Sequence, residues 1–214
     1  MNKRCIIAGA GEYCGYVIPC VGDYVIAADA GYTEFLAHGI TPDLVVGDFD
    51  SLGYTPDHSN VIRIPSEKDD TDMMLGIKQG LAKGFTTFII DGGLGGRLDH
   101  TVANFQLLAY IASKGARGYL LGREVTVTAI MNSSISFQSE TAGYISVFSI
   151  GGNADGVTLT GLKYLLNDAT LTSDYPLGVS NEFIGVPATV AVRDGTLIIM
   201  WAGRIEAVNN IYSV

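Results

Sequence analysis

Up to about residue 121 the chain alternates short, almost wholly apolar runs with helical patterns, and there the alternation stops. The runs Cys5–Ala8, Tyr24–Ala28, Leu44–Val46, Val61–Ile64, Phe85–Ile90 and Tyr119–Leu121 read as parallel strands covered on both faces. Helical patterns over Tyr32–His38, Thr71–Lys83 and Leu98–Lys114 lie between them. Met74, Ile77 and Leu81 recur at helical spacing, Asp70 or Thr71 can cap that helix, and Gly84 and Gly115 stand where helices stop. Such alternation predicts an open, mostly parallel α/β sheet with ligands at the carboxyl ends of its strands. Beyond Gly122 the runs Val125–Met131, Ile135–Gln138, Tyr144–Ser149, Val157–Leu159, Ala188–Arg193 and Thr196–Trp201 are β-branched or aromatic. Asp194-Gly195 reads as a two-residue hairpin turn joining the last two. The expected architecture is therefore an N-terminal α/β domain over residues 1–122 and a C-terminal all-β sandwich over 123–214.

Composition narrows the function. With 48% hydrophobic and 16% charged residues the chain is not intrinsically disordered, and no apolar stretch reaches the roughly 20 residues that span a bilayer. The run after Arg4 breaks at Gly9–Glu12, too short for a signal-peptide core, and reads as a first buried strand. A net charge of −9 excludes non-specific nucleic-acid binding, which needs clustered Lys and Arg. It suits a cationic ligand, or a phosphate ligand whose charge metal ions carry. The three cysteines, Cys5, Cys14 and Cys20, make no disulfide framework and no zinc pattern, which points to a reducing, cytoplasmic setting.

The carboxylates crowd between Asp29 and Asp99, and three blocks stand out. Gly47-Asp48-Phe49-Asp50-Ser51 closes a strand with two acids one residue apart. Such a pair is either a solvated polar turn or a seat for Mg²⁺, whose charge relieves the repulsion. Ser66-Glu67-Lys68-Asp69-Asp70-Thr71-Asp72 precedes a helix, and helix capping explains only one or two of its four acids. Lys68 among them suits a phosphate. Asp91-Gly92-Gly93-Leu94-Gly95-Gly96-Arg97-Leu98-Asp99-His100 is a glycine-rich strand-to-helix turn whose amides, helix N-terminus and Arg97 suit an anion. His100 is either a packed or capping histidine or a catalytic one. Gly9-Ala10-Gly11, with Asp29 ending the next strand, imitates a dinucleotide fingerprint poorly, because its third glycine comes late and Pro19 cuts the helix. Asp29 is left for a ribose or a metal.

Together the three blocks resemble the signature of the thiamine pyrophosphokinase family. Ala28-Asp29-Ala30-Gly31, Pro42-Asp43 and Gly178-Val179-Ser180-Asn181-Glu182 extend the likeness along nearly the whole chain. The resemblance implies an α/β catalytic domain, a C-terminal β-sandwich that binds thiamine and dimerises, and a cytoplasmic homodimer. It also implies transfer of a pyrophosphoryl group from ATP to the hydroxyethyl oxygen of thiamine, giving AMP. By that likeness Asp48, Asp50 and Asp72 would hold Mg²⁺, with Asp70 close by. Asp29, Ser51, Lys68, Gly95, Gly96, Arg97 and His100 would contact ATP. Asp99 would accept or orient the hydroxyl proton. Ser180 and Asn181 would meet thiamine, and Trp201 is either its stacking wall or a core residue. Two rivals remain on sequence grounds: a haloacid-dehalogenase-type hydrolase reading Asp48-Phe49-Asp50 as its nucleophile motif, and a non-catalytic sensor on the same scaffold.

Overall fold

A computed structural model describes residues 3–65 and 69–205. The chain is mixed α/β, with a large sheet and a second, antiparallel sheet. It divides into two compact units, one of Asn2–Asn104 and Leu120–Gly122, the other of Phe105–Tyr119 and Arg123–Val214.

In the first unit lie β1 (Arg4–Ala8), β2 (Tyr24–Ala28), α1 (Gly31–Ala37), β3 (Leu44–Gly47), β4 (Val61–Arg63), α2 (Asp72–Ala82) and β5 (Thr87–Asp91). Its strands run in the order β4-β3-β2-β1-β5, all parallel. Cys5, Ile7, Ile26, Val45, Val46 and Phe88 are fully buried, as parallel strands covered on both faces require. The sequence expectation holds within a residue or two. The largest shift is at the start of β5, which begins at Thr87 rather than Phe85; the Phe85 ring stacks on Tyr24, centroids 5.7 Å apart. Helix α2 runs antiparallel to the strands beneath it. A Cβ at Gly80 would meet Phe88 and Cys5, one at Gly76 meets Ile7 and Ile26, and the methyl of Met73 reaches Gly9. The N-terminus of α2 therefore sits at the carboxyl edge of the sheet. Thr71 is its cap, its hydroxyl accepting from the Met74 amide at 3.2 Å. Thr71→Ala is expected to cost about 1 kcal/mol in denaturant unfolding, the usual worth of such a cap.

The second unit holds β7 (Val125–Met131), β8 (Ser134–Phe137), β9 (Tyr144–Ser149), β10 (Ala154–Thr160), β11 (Leu166–Leu171), β12 (Asn181–Glu182), β13 (Ala188–Ala191) and β14 (Thr196–Ala202). Helix α3 (Leu98–Ser113) and strand β6 (Arg117–Leu121) precede them, and the division between the units falls inside both. An antiparallel run β12-β9-β14-β7 packs on the sheet β11-β10-β13-β8. Phe137 of β8 meets Trp201 of β14 edge-on at 5.3 Å and Phe183 at 5.1 Å. One expectation fails here. Asp194-Gly195 is not a hairpin turn, because β13 and β14 belong to different sheets. The Asp155 amide donates to the Asp194 carbonyl, and the Arg193 and Asp194 amides donate back to the Asp155 carbonyl. These bonds turn the chain from one sheet to the other.

Candidate active site

Four strand ends open onto one edge of the first unit. Asp29 follows β2 and Asp48 follows β3, on neighbouring strands whose register pairs Ala28 with Val46. The Asp29 amide donates to the Val46 carbonyl at 2.8 Å, and both turns are left-handed, Asp29 at φ +49° and Phe49 at φ +64°. A phenylalanine in that region carries strain, of order 1–2 kcal/mol, that its surroundings must hold in place. Burial of the Phe49 ring against Gly47 does so, leaving Asp48 half-buried and Asp50 exposed on either side of it. The Asp50 amide donates to Asp48 Oδ1 at 3.1 Å, and Ser51 is exposed beside them. The side chain of Asp29 is 8% exposed, and its Oδ1 has no hydrogen-bond partner among the described residues.

Asp72 opens α2, half-buried, at the same edge. Asp70 lies just before α2, and its Oδ2 accepts from Lys78 Nζ at 2.7 Å. Lys68, the expected phosphate cation, lies outside the described residues.

The loops after β1 and β5 are zipped together. Gly9 donates to the Asp91 carbonyl at 2.8 Å, Gly11 to Gly92 at 2.7 Å, and Glu12 to Leu94 at 2.8 Å. A Cβ at Gly11 would lie 2.6 Å from both the Gly92 and the Leu94 carbonyl oxygens. The first-loop glycines thus serve backbone-to-backbone packing, which corrects their likeness to a dinucleotide fingerprint. Asn104 of α3 holds the second loop from the other side, donating to the Gly93 carbonyl at 2.7 Å. Gly95 and Gly96 follow at φ +76° and +66°, exposed, and their amides donate to no acceptor among the described residues. Arg97 and Asp99 grip each other, Nε to Oδ1 at 3.1 Å and Nη2 to Oδ2 at 2.6 Å, both exposed, with His100 beside them. The hydrogen bond from Arg97 holds the Asp99 carboxyl below the usual carboxylate range. A carboxylate so held is a weak proton acceptor, and orientation suits it better.

Among the described residues no three His, Cys, Asp or Glu side chains gather into a self-sufficient metal cluster. Open carboxylates at adjacent strand ends, one with an orphaned buried oxygen, are still a fitting donor set for Mg²⁺. That ion is commonly held by one or two carboxylates together with substrate phosphates.

In the second unit Ser180 is exposed in a left-handed turn at φ +57°. Its amide donates to Ser146 Oγ at 3.1 Å. Asn181 is 4% exposed and its amide group is tied into the fold: Oδ1 accepts from Tyr164 and Glu182, and Nδ2 donates to the Tyr164 carbonyl. One N–H of its Nδ2 has no acceptor among the described residues. Trp201 is 1% exposed, packed on Phe137, with its indole N–H donating to the Arg204 carbonyl at 3.1 Å. The core alternative is therefore the correct one for Trp201, and no ring face is left for stacking.

Residues 22–120 match the catalytic domain of thiamin pyrophosphokinase, and residues 132–197 match that family's vitamin B1 binding domain. Thiamine pyrophosphokinase of Bacillus subtilis is 30% identical over 182 residues, covering 82% of this chain and 85% of its own. The chain belongs to the thiamine pyrophosphokinase family. A crystal structure of the Bacillus subtilis thiamine pyrophosphokinase superposes with a TM-score of 0.82 at 28% identity, over 95% of this chain and all of that one (100%). One of a thiamin pyrophosphokinase family protein from Enterococcus faecalis gives 0.77 at 26% identity, over 94% and 99%. The family's catalytic match contains every candidate nucleotide residue named above, and its vitamin B1 match contains Ser180 and Asn181. ATP-dependent formation of thiamine diphosphate is the activity that membership of this family implies. The haloacid-dehalogenase-type reading gives way to it.

Proposed function

We propose that this chain transfers the pyrophosphoryl group of ATP to thiamine in a Mg²⁺-dependent reaction, releasing AMP. The observation that carries the proposal is the convergence of Asp29, Asp48, Asp72 and the Gly95–Arg97 turn on one sheet edge of a family member. Asp48, Asp50 and Asp72 are the residues that would hold the ion. When bound, it neutralises the triphosphate and the charge that develops on the leaving AMP. The chain's own groups do the rest by placement, which such transfers need more than covalent help. The Gly95 and Gly96 amides and Arg97 bind phosphate oxygens, Ser51 and His100 are further nucleotide contacts, and Lys68 is assigned to a phosphate on the family resemblance alone. Asp99 orients Arg97 and the attacking hydroxyl. Ser180 is the contact proposed for thiamine.

Residues 1–122 are read as the ATP-binding domain and 123–214 as the thiamine-binding, dimerising one, in a cytoplasmic homodimer. Tyr144, Tyr164, Leu165, Ile184 and Val186 cluster exposed around the edge strand β12, as a subunit interface would need. No helix among the described residues is long and apolar enough to cross a membrane. The test is incubation with ATP, Mg²⁺ and thiamine. AMP and thiamine diphosphate are expected in equal amounts. AMP formation that does not depend on thiamine would sink the proposal.

A further inference from the structure

Asp91, the last residue of β5, is 3% exposed and takes no part in the chemistry described above. Its Oδ1 accepts from the amides of Cys14 and Gly92, both at 2.8 Å, and its Oδ2 from Gly15 at 2.9 Å. All three donors are backbone amides, two of them more than seventy residues away along the chain. A carboxylate this buried is costly unless charge-assisted bonds compensate it, and three amides do. One carboxylate thus joins the turn at Cys14–Gly15 to the start of the glycine loop at Gly92.

Between these ties runs the backbone zipper from Gly9 to Glu12 against Asp91 to Leu94. At its far end a Cβ on Gly95 would lie 2.9 Å from Cβ of Glu12, so the first loop is a wall behind the Gly95–Gly96 amides. The Cys14 and Gly15 amides, spent on Asp91, are unavailable to phosphate. Those of Gly95 and Gly96 are not so spent.

We propose that Asp91 is a positioning residue for the nucleotide, setting the Gly92–Gly96 turn by clamping it to the 12–15 loop. The proposal rests on the nucleotide site assigned above. Asparagine has almost the same volume but can accept at only one of its two polar atoms, and its NH₂ would face an amide donor. Asp91→Asn therefore breaks one side of the clamp without opening a cavity.

The expected result is a KM for ATP raised about tenfold, with kcat and the KM for thiamine within about twofold of wild type. Faster hydrogen exchange at Cys14, Gly15 and Gly92 should accompany it. An unchanged KM for ATP, or a loss confined to kcat, overturns the proposal. Should the variant not fold, hydrogen exchange of the wild-type protein decides. Protection of Cys14 and Gly15 without nucleotide, extending to Gly95 and Gly96 when ATP is added, supports the clamp, and its absence refutes it. AMP formation by the wild-type enzyme, measured alongside, separates the two readings. Without it the assigned function fails and the clamp has nothing to position. With it, a normal ATP response in the variant removes the clamp alone.

Discussion

Asp50→Asn is expected to lower thiamine-dependent AMP formation by about a thousandfold or more while leaving the fold intact. The charge removed belongs to the pair flanking Phe49, and losing a carboxylate from a Mg²⁺–triphosphate seat forfeits several kcal/mol of transition-state stabilisation. Asp50 is exposed and uses its backbone, not its side chain, to close the turn with Asp48, so unfolding curves should superpose. Steady-state kinetics beside circular dichroism checks both halves. Activity within about threefold of wild type, less than 1 kcal/mol in barrier, would show that Asp50 holds no ion.

Asp23→Ala is expected to be strongly destabilising although it lies outside the site. Arg4 and Asp23 are both nearly buried, with side-chain exposures of 10% and 5%. Their closest approach is 2.5 Å, and Nε of Arg4 lies 3.1 Å from each carboxylate oxygen. The Arg4 and Cys20 amides also donate to that carboxylate. Removing it leaves a buried guanidinium without its partner, which costs about 3 kcal/mol or more, and on the order of 6–12 °C in Tm. Burial pushes the Asp23 carboxyl upward, but Arg4 and the two amides outweigh it and hold the group below the usual carboxylate range. A lowered value in the folded state means that the pair stabilises fully above the carboxylate's unfolded value, near about pH 4. That contribution is lost as pH falls through the folded value. The wild-type and Asp23→Ala stability curves should therefore converge only in strong acid. Urea titrations at several pH values test this, and parallel curves throughout would contradict it.

The parallel strands were legible in the sequence because Ile6, Ile26, Val45 and Ile89 lie in runs with no polar face, which only a doubly covered sheet tolerates. Strand β11, Leu-Asn-Asp-Ala-Thr-Leu, was not legible: half of its residues are exposed and only Leu171 is buried, and its pairing with β10 is broken by register shifts. Asp194-Gly195 misled because a two-residue turn signal is local, whereas the change of sheet at that point is a property of the whole unit. At the site, acids beside strand ends announced themselves by their spacing. The clamp at Asp91 did not, since its partners at Cys14 and Gly15 come near only after β1 and β5 pair. Asn181 shows the converse. Its place in a signature block suggested ligand contact; the bonds that tie its side chain to Tyr164 and Glu182 in the fold had no signal in the sequence.

The fork between Arg97 and Asp99 bears on selectivity. The carboxylate engages two donors of the guanidinium, Nε–H and Nη2–H, while the arginine side chain is still 73% exposed. On the reading proposed above, a triphosphate brings several oxygens at once to the arginine's remaining donors and the adjacent glycine amides, and Asp99 keeps its hold on Arg97. A solvated pair of this kind contributes little, so any preference of the proposed turn for a polyanion comes from the number of donors it brings together, not from the pair.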